Sequence, residues 1–435
     1  MPMTSLGYLS VVLPLSLIGA ALLRGTRVLK PFIVLTGVVY LLLAGQAAAI
    51  AAAVFIAING MIYLLPSYAR KKIGLAANIT LVVALRVTQS APGILAPLLP
   101  PLAALGLSWR ALESIALHMG DDRPGLDAYV FSTLFFPKLP AGPVADAAAL
   151  ASQRPERSDR WDDLAAGLVR IILGLGKKLL LADTLARLST AAFTTDTTLL
   201  GAPLALLGAA GYTIQLYFDI SGYADMALGT AQALGYRLPE NFRTPLRADS
   251  MTDFWRRWHI SLTEWFRQHV FVPLSVGRKS RWQVVGAITL VFVLMGMWHG
   301  WKAGFLLWGV WHAVFVAAEY AGLISPERWP AALRKTYVWL CVVVGFVLMR
   351  LGSLPAIARY LVALSRQGSV QALLLPLSPP VLLAFATAVV VIIFEQRGLP
   401  CRVPRVLRYL ALALLAVVCL GNAAAGMGVP FFYQG

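Results

Sequence analysis

Continuous apolar runs near bilayer-crossing length constrain this chain more than any other feature. A spanning α-helix needs roughly 17 to 25 mostly apolar residues. Gly7 to Leu23 and Trp282 to Trp298 are such runs, and Tyr337 to Met349 and Tyr409 to Leu420 are shorter ones. By this length criterion the sequence predicts about ten to twelve spans or half-spans. A transmembrane β-barrel would need short alternating strands, and these runs do not alternate. Of the 435 residues, 59% are hydrophobic and 13% charged, more apolar surface than a water-soluble core can hide. The expected fold class is all-α, a polytopic helical membrane protein.

The chain carries 37 basic and 20 acidic residues, a formal charge of +17. In a membrane protein such an excess sits in cytoplasmic loops and against anionic headgroups, so membrane lipid and not nucleic acid is the expected partner. Two basic clusters, Arg24/Arg27/Lys30 and Arg70/Lys71/Lys72, enclose an apolar stretch that fits two short spans turning near Gly45 and Gln46. Both clusters are then cytoplasmic and the N-terminus lies outside. The first apolar run has no basic segment before it and Arg24 after it, so it reads as a retained span and not a cleaved signal. Cys341, Cys401 and Cys419 are too scattered for a disulfide framework and read as packing residues.

The polar stretches Gly120 to Asp127 and QRPERSDRWDD (Gln153 to Asp163) suit solvated loops or a surface helix. Prolines at 97, 100 and 101 and at 376, 379 and 380 mark helix ends or kinks. The reading is one integral-membrane domain over 1–435, with a motif-bearing core at 105–319 and flanking helices at 1–104 and 320–435. A transporter or flippase is also polytopic with buried charge, but it predicts an inverted repeat or paired broken helices. None is evident.

Between Tyr212 and Glu319, polar and charged residues stop being confined to loops. From Arg237 to Arg281 there are nine basic and four acidic residues. Titratable groups at membrane depth are costly and tend to carry function. His299 lies in LMGMWHGW, and Gly296 and Gly300 beside it admit another backbone or a substrate. His259 lies in DFWRRWHISLTEWF, a predicted amphipathic helix. Each has a plain alternative, an interfacial anchor or an interhelical hydrogen bond. A histidine near neutral pKa can take the proton of an attacking hydroxyl. His312 follows His299 by 13 residues, on roughly the opposite face if one helix carries both; packing is its simpler role. No pair among His118, His259, His269, His299 and His312 has i, i+3 or i, i+4 spacing, so no metal site is expected.

The stretch YTIQLYFDISGYADMALGTAQALGYRLPENF places Asp219, Ser221, Tyr223 and Asp225 in a membrane-like helix with Gly222 and Gly229. The carboxylates demand partners, and positioning is the favoured role. No GxSxG elbow surrounds Ser221 to mark it as a nucleophile. Arg256 and Arg257, beside Phe254, Trp255 and Trp258, fit either phosphate binding or an interfacial anchor. Lys177 and Lys178 leave the same choice open.

Five ordered segments resemble the membrane-bound O-acyltransferase family, in the bacterial branch of alginate O-acetylation and teichoic acid D-alanylation proteins. They are FFPKLPAGPV (135–144), GLGKKLLLADTLA (174–186), YFDISGYADMALGTAQALGYRLPENFRTPL (217–246), DFWRRWHISLTEWFRQHVFVPL (253–274) and GMWHGWKAGFLLWGVWHA (296–313). The terminal GVPFFYQG is similar to the family's aromatic end. Two segments depart from the pattern, SVGRKSR after the VPL element and SWRALESIALHMGDDRPG before Asp127.

The resemblance implies a ring of helices around a thinned membrane core, with a tunnel where a cytoplasmic thioester meets an acceptor from the other side. It puts His299 at the catalytic position and His259 at the second active-site position. Asp219, Ser221, Tyr223, Asp225, Asn241, Arg256, Arg257, Trp298 and His312 are candidate substrate-positioning residues around them. The resemblance also implies an acetyl-CoA or acyl-carrier-protein donor as substrate, no bound cofactor, the cell inner membrane, and a periplasmic or extracellular acyltransferase partner. O-acetylation of an exported or cell-wall polysaccharide is the expected function, with D-alanyl transfer to a teichoic acid-like acceptor as the alternative.

Overall fold

The computed structural model describes all residues except 1, 91–105, 122–124, 140–141, 197, 278–279, 398–404, 427–428 and 430–435. Helices follow one another through the described residues, which contain no strand. Among the described residues, four helices are long and apolar enough to cross a membrane: Gln46–Leu64, Arg281–His299, Ala303–Tyr320 and Ala331–Leu351. Tyr8–Leu23, Leu29–Ala44, Leu354–Ala363, Pro379–Phe394 and Tyr409–Ala424 are shorter apolar helices. Large side chains such as Leu15, Ile18, Leu22, Leu383 and Val417 stay exposed on these helices, as apolar surfaces that face lipid do.

The expected reversal near Gly45 is present. Gly45 sits at φ 126°, a region closed to most L side chains, and separates Leu29–Ala44 from Gln46–Leu64. Pro379 and Pro380 open the helix Pro379–Arg397, where a missing N–H removes no helical bond. Cys341 and Cys419 are buried free thiols. The prolines at 97–101, Cys401 and the C-terminal aromatic end lie outside the described residues.

Contacts gather in two discontinuous units, one of residues 1–176, 221–240 and 404–435, the other of 177–220 and 241–403. In the first, Arg160–Leu175 meets residues 221–233 of the long helix Ala202–Ala233 through glycines. A Cβ on Gly167 would lie 2.5 Å from the Gly229 carbonyl oxygen, and one on Gly229 would lie 2.7 Å from that of Gly167. The helix backbones therefore touch directly. Asp163, expected in a solvated segment, is buried instead. Arg24 and Arg237 both pair with it and replace its water.

In the second unit, Arg281–His299 and Ala303–Tyr320 form a close hairpin. A Cβ on Gly296 would lie 2.5 Å from the Phe305 carbonyl oxygen. The glycine before His299 thus admits a neighbouring backbone.

Candidate active site

His299 is the last residue of its helix. Gly300 is extended, and the next helix begins at Ala303. The helix is therefore not continuous to His312, and the opposite-face geometry does not apply. The break folds the second helix back, so the Trp308 indole touches both imidazoles, with ring centroids 5.2 Å from His299 and 5.2 Å from His312. The Trp298 indole stands edge-on to His299 at 4.9 Å. His299 is half-buried, while His312 has no exposure and packs against Trp255 at 5.1 Å. Gly345 on Ala331–Leu351 lies directly against His312 Nε2, where no larger residue fits.

The amphipathic helix predicted through His259 is in fact broken at that residue. Met251–Arg257 and Ile260–Phe266 are separate helices, and His259 between them is left-handed at φ 50°, ψ 47°. The cause is a short extended piece, 241–243, that takes the backbone groups a continuous helix would use. Ile260 N–H donates to the Asn241 carbonyl at 2.9 Å, Arg243 N–H donates to the Arg257 carbonyl at 3.0 Å, and Phe242 bridges Trp258 antiparallel.

Asn241 also fixes the His259 side chain. Its Oδ1 accepts from Ser261 N–H at 3.2 Å and from Ser261 Oγ at 2.9 Å, and lies 3.2 Å from His259 Nδ1. A backbone N–H only donates, so the Asn241 atom facing it is oxygen, and His259 Nδ1 must carry the proton. Nε2 is then the basic nitrogen. Burial pushes the imidazole pKa down to about 3, so the ring is neutral near pH 7.

Sequence reasoning missed Glu319. Its carboxylate accepts from Met251 N–H at 2.7 Å, Thr252 N–H at 2.8 Å, Thr252 Oγ1 at 2.6 Å and the Tyr337 hydroxyl at 3.0 Å. It therefore holds the N-terminus of the helix that leads to His259, where a negative charge is favourable. The available signal was an acidic residue in the last turn of an otherwise apolar helix.

Ring contacts continue from Trp258, beside His259, to Phe346 at 5.1 Å and on to His312 at 6.4 Å. With Trp308, this aromatic cluster links His259, His299 and His312, three of the four histidines of the second unit. Asp219 lies 2.7 Å from Lys178 Nζ, which also reaches Asp183 at 2.7 Å. In the first unit, Arg170 pairs with Asp225 at 3.0 Å and forks onto Glu240 at 2.7 and 2.6 Å. Ser221 and Tyr223 are buried in that unit. Arg257 Nε bonds Asp253 at 2.8 Å, and Arg256 is exposed. The two acidic residues of the DISGYAD stretch thus each meet a cation.

The sequence profile of the membrane-bound O-acyltransferase family matches residues 125–354. The chain is 37% identical over 277 residues to the probable alginate O-acetylase of Pseudomonas aeruginosa, covering 62% of this chain and 53% of that protein. It is 31% identical over 258 residues to the peptidoglycan O-acetyltransferase of Helicobacter pylori, covering 59% and 45%. It is 30% identical over 259 residues to the teichoic acid D-alanyltransferase of Bacillus subtilis, covering 55% and 62%. The chain spans about half the length of the alginate O-acetylases it matches.

Proposed function

Because this chain belongs to the membrane-bound O-acyltransferase family, we propose that it passes an acetyl group from a cytoplasmic thioester, acetyl-CoA or an acylated carrier protein, across the inner membrane for O-acetylation of an exported or cell-wall polysaccharide. The observation that carries this reading is the aromatic cluster that brings a half-buried His299 and a tautomer-fixed His259 into one unit. His299 takes the proton of the acceptor hydroxyl, the oxygen attacks the thioester carbonyl, and the carbon–sulfur bond breaks. The thiol leaves with a proton, so the step balances without a redox partner. His259 orients the reactants or bears on the developing oxyanion. A periplasmic or extracellular acyltransferase completes delivery to the glycan.

The similarity to a teichoic acid D-alanyltransferase supports a second reading, transfer of D-alanyl from a carrier protein. Purified protein in vesicles, offered labelled acetyl-CoA, acetyl carrier protein or D-alanyl carrier protein, separates the two. Label from an acetyl thioester on a hydroxyl acceptor is the expected result. Label from D-alanyl carrier protein alone selects the second reading, and label from none of them overturns both.

A further inference from the structure

In the second unit, the two ends of the Ala303–Tyr320 and Ala331–Leu351 pair differ in charge. Where the first of these helices finishes and the second begins, cations meet carboxylates. Lys335 lies 2.9 Å and Arg334 3.5 Å from Asp249, and Arg257 pairs with Asp253 at 2.8 Å. The His299 end carries cations instead. Lys302 follows His299 by three residues and is exposed, and the exposed Arg350 lies in the last turn of Ala331–Leu351. Arg359 on Leu354–Ala363 is exposed as well, and Arg366 follows it, with its carbonyl accepting from Ala202 N–H at 2.8 Å. Among the described residues, Lys302, Arg350 and Arg359 pair with no carboxylate. Asp196, the acidic side chain before Ala202, already accepts from Thr198 N–H and Oγ1 at 2.8 and 2.7 Å.

These cations are spread around one helix end. Gly304 N–H donates to the Gly352 carbonyl at 3.0 Å, and a Cβ on Gly352 would lie 3.3 Å from Lys302 Cδ. The Lys302 stem therefore crosses Gly352. Arg350 is two residues earlier, about 200° around the helix. It turns the other way, its guanidinium carbon 5.8 Å from the ring centroids of both Phe193 and Tyr212. Cations on opposite sides of a helix end do not converge on one small anion. They suit a polymer with a charge on each of several units. Trp301, 45% exposed beside Lys302, adds a flat apolar ring that the C–H face of a sugar can cover.

We propose that this rim binds an anionic polysaccharide, the acceptor itself, through its carboxylate or phosphate groups. The inference rests on the acyl-transfer reading above. The acceptor hydroxyl must reach His299, the last residue of its helix, and so approaches from this end. Complementary charge raises the local concentration of such a glycan.

The test measures binding to the full chain in phosphatidylcholine nanodiscs, with a uronic acid hexamer, a glycerol phosphate hexamer and neutral maltohexaose as probes. An anionic probe should bind in preference to maltohexaose and weaken as salt rises, and the one that binds identifies the charged group. Lys302→Gln/Arg350→Gln should weaken it about 10-fold, and Arg328→Gln at the opposite end should not. No binding of either anionic probe, equal binding of maltohexaose, or undiminished binding by the double variant overturns the proposal. Equally tight binding of hexaglutamate also overturns it, in favour of an acidic partner protein. Acetyl transfer from acetyl-CoA to glycerol by the unaltered protein reports separately on the acyl-transfer reading.

Discussion

His259 and Thr244 are the non-glycine residues with positive φ among those described. Such backbone costs on the order of 1–3 kcal/mol and persists where the surroundings enforce it. Here the enforcing residue is Asn241, so Asn241→Ala should lower acylation by about 10-fold or more with the protein still folded. Unchanged acylation would show that the Nδ1–H tautomer of His259 is irrelevant to the reaction. Protonation of His259 has a definite sign. An unfolded histidine takes up a proton near pH 6.5, and the buried ring does so only at about 3. The stability gained by keeping it neutral is present above about pH 6.5 and lost as pH falls toward 3. His259→Asn should therefore flatten the acid limb of the stability curve, and an unchanged limb would contradict the burial argument. His312→Ala should retain more acylation than His299→Ala, because the His312 ring is enclosed by Trp255, Trp308 and Gly345; equal loss would reverse that ranking. The histidines themselves were legible in the sequence, since titratable rings in apolar runs stand out. The tautomer was not, because it depends on an asparagine 18 residues away.

Helices were the most legible elements. The apolar run from Gly7 to Leu23 became the helix Tyr8–Leu23, and a glycine marked the reversal at 45. The break at His259 was hidden because Phe254, Trp255, Trp258, Leu262, Trp265 and Phe266 keep an apolar period straight through it, with no glycine or proline to warn of a turn. What breaks the helix is competition from the extended residues 241–243, which periodicity cannot register. Glu319 was hidden for a similar reason, since it serves amides 67 and 68 residues away. Glu319→Gln keeps the size but loses the charge at the helix N-terminus, and should reduce acylation several-fold, with Glu319→Asp retaining more. Equal activity in both variants would remove Glu319 from the support of His259. In the first unit, Gly229→Leu should destabilise by ~1–3 kcal/mol, because the Gly167 carbonyl occupies the space a side chain needs. A protein that melts unchanged would contradict the direct backbone contact.

Over the whole chain, the excess of 37 basic over 20 acidic residues was expected in loops and at headgroups, yet several of these side chains are structural. Arg24 and Arg70 are buried, Arg24 against Asp163 and Arg70 donating to the Gly120 carbonyl at 2.8 Å. Composition revealed the membrane environment but not which charges the fold consumes, because burial of an ion depends on a partner distant in sequence. The match to the family extends over residues 125–354 and includes both His259 and His299, which focuses the account on a single proton transfer. The most direct test is His299→Ala in cells, with glycan acylation measured and the protein confirmed at normal level in the membrane. Loss of acylation is the predicted result, and normal acylation by the variant would contradict the assignment of His299 as the base.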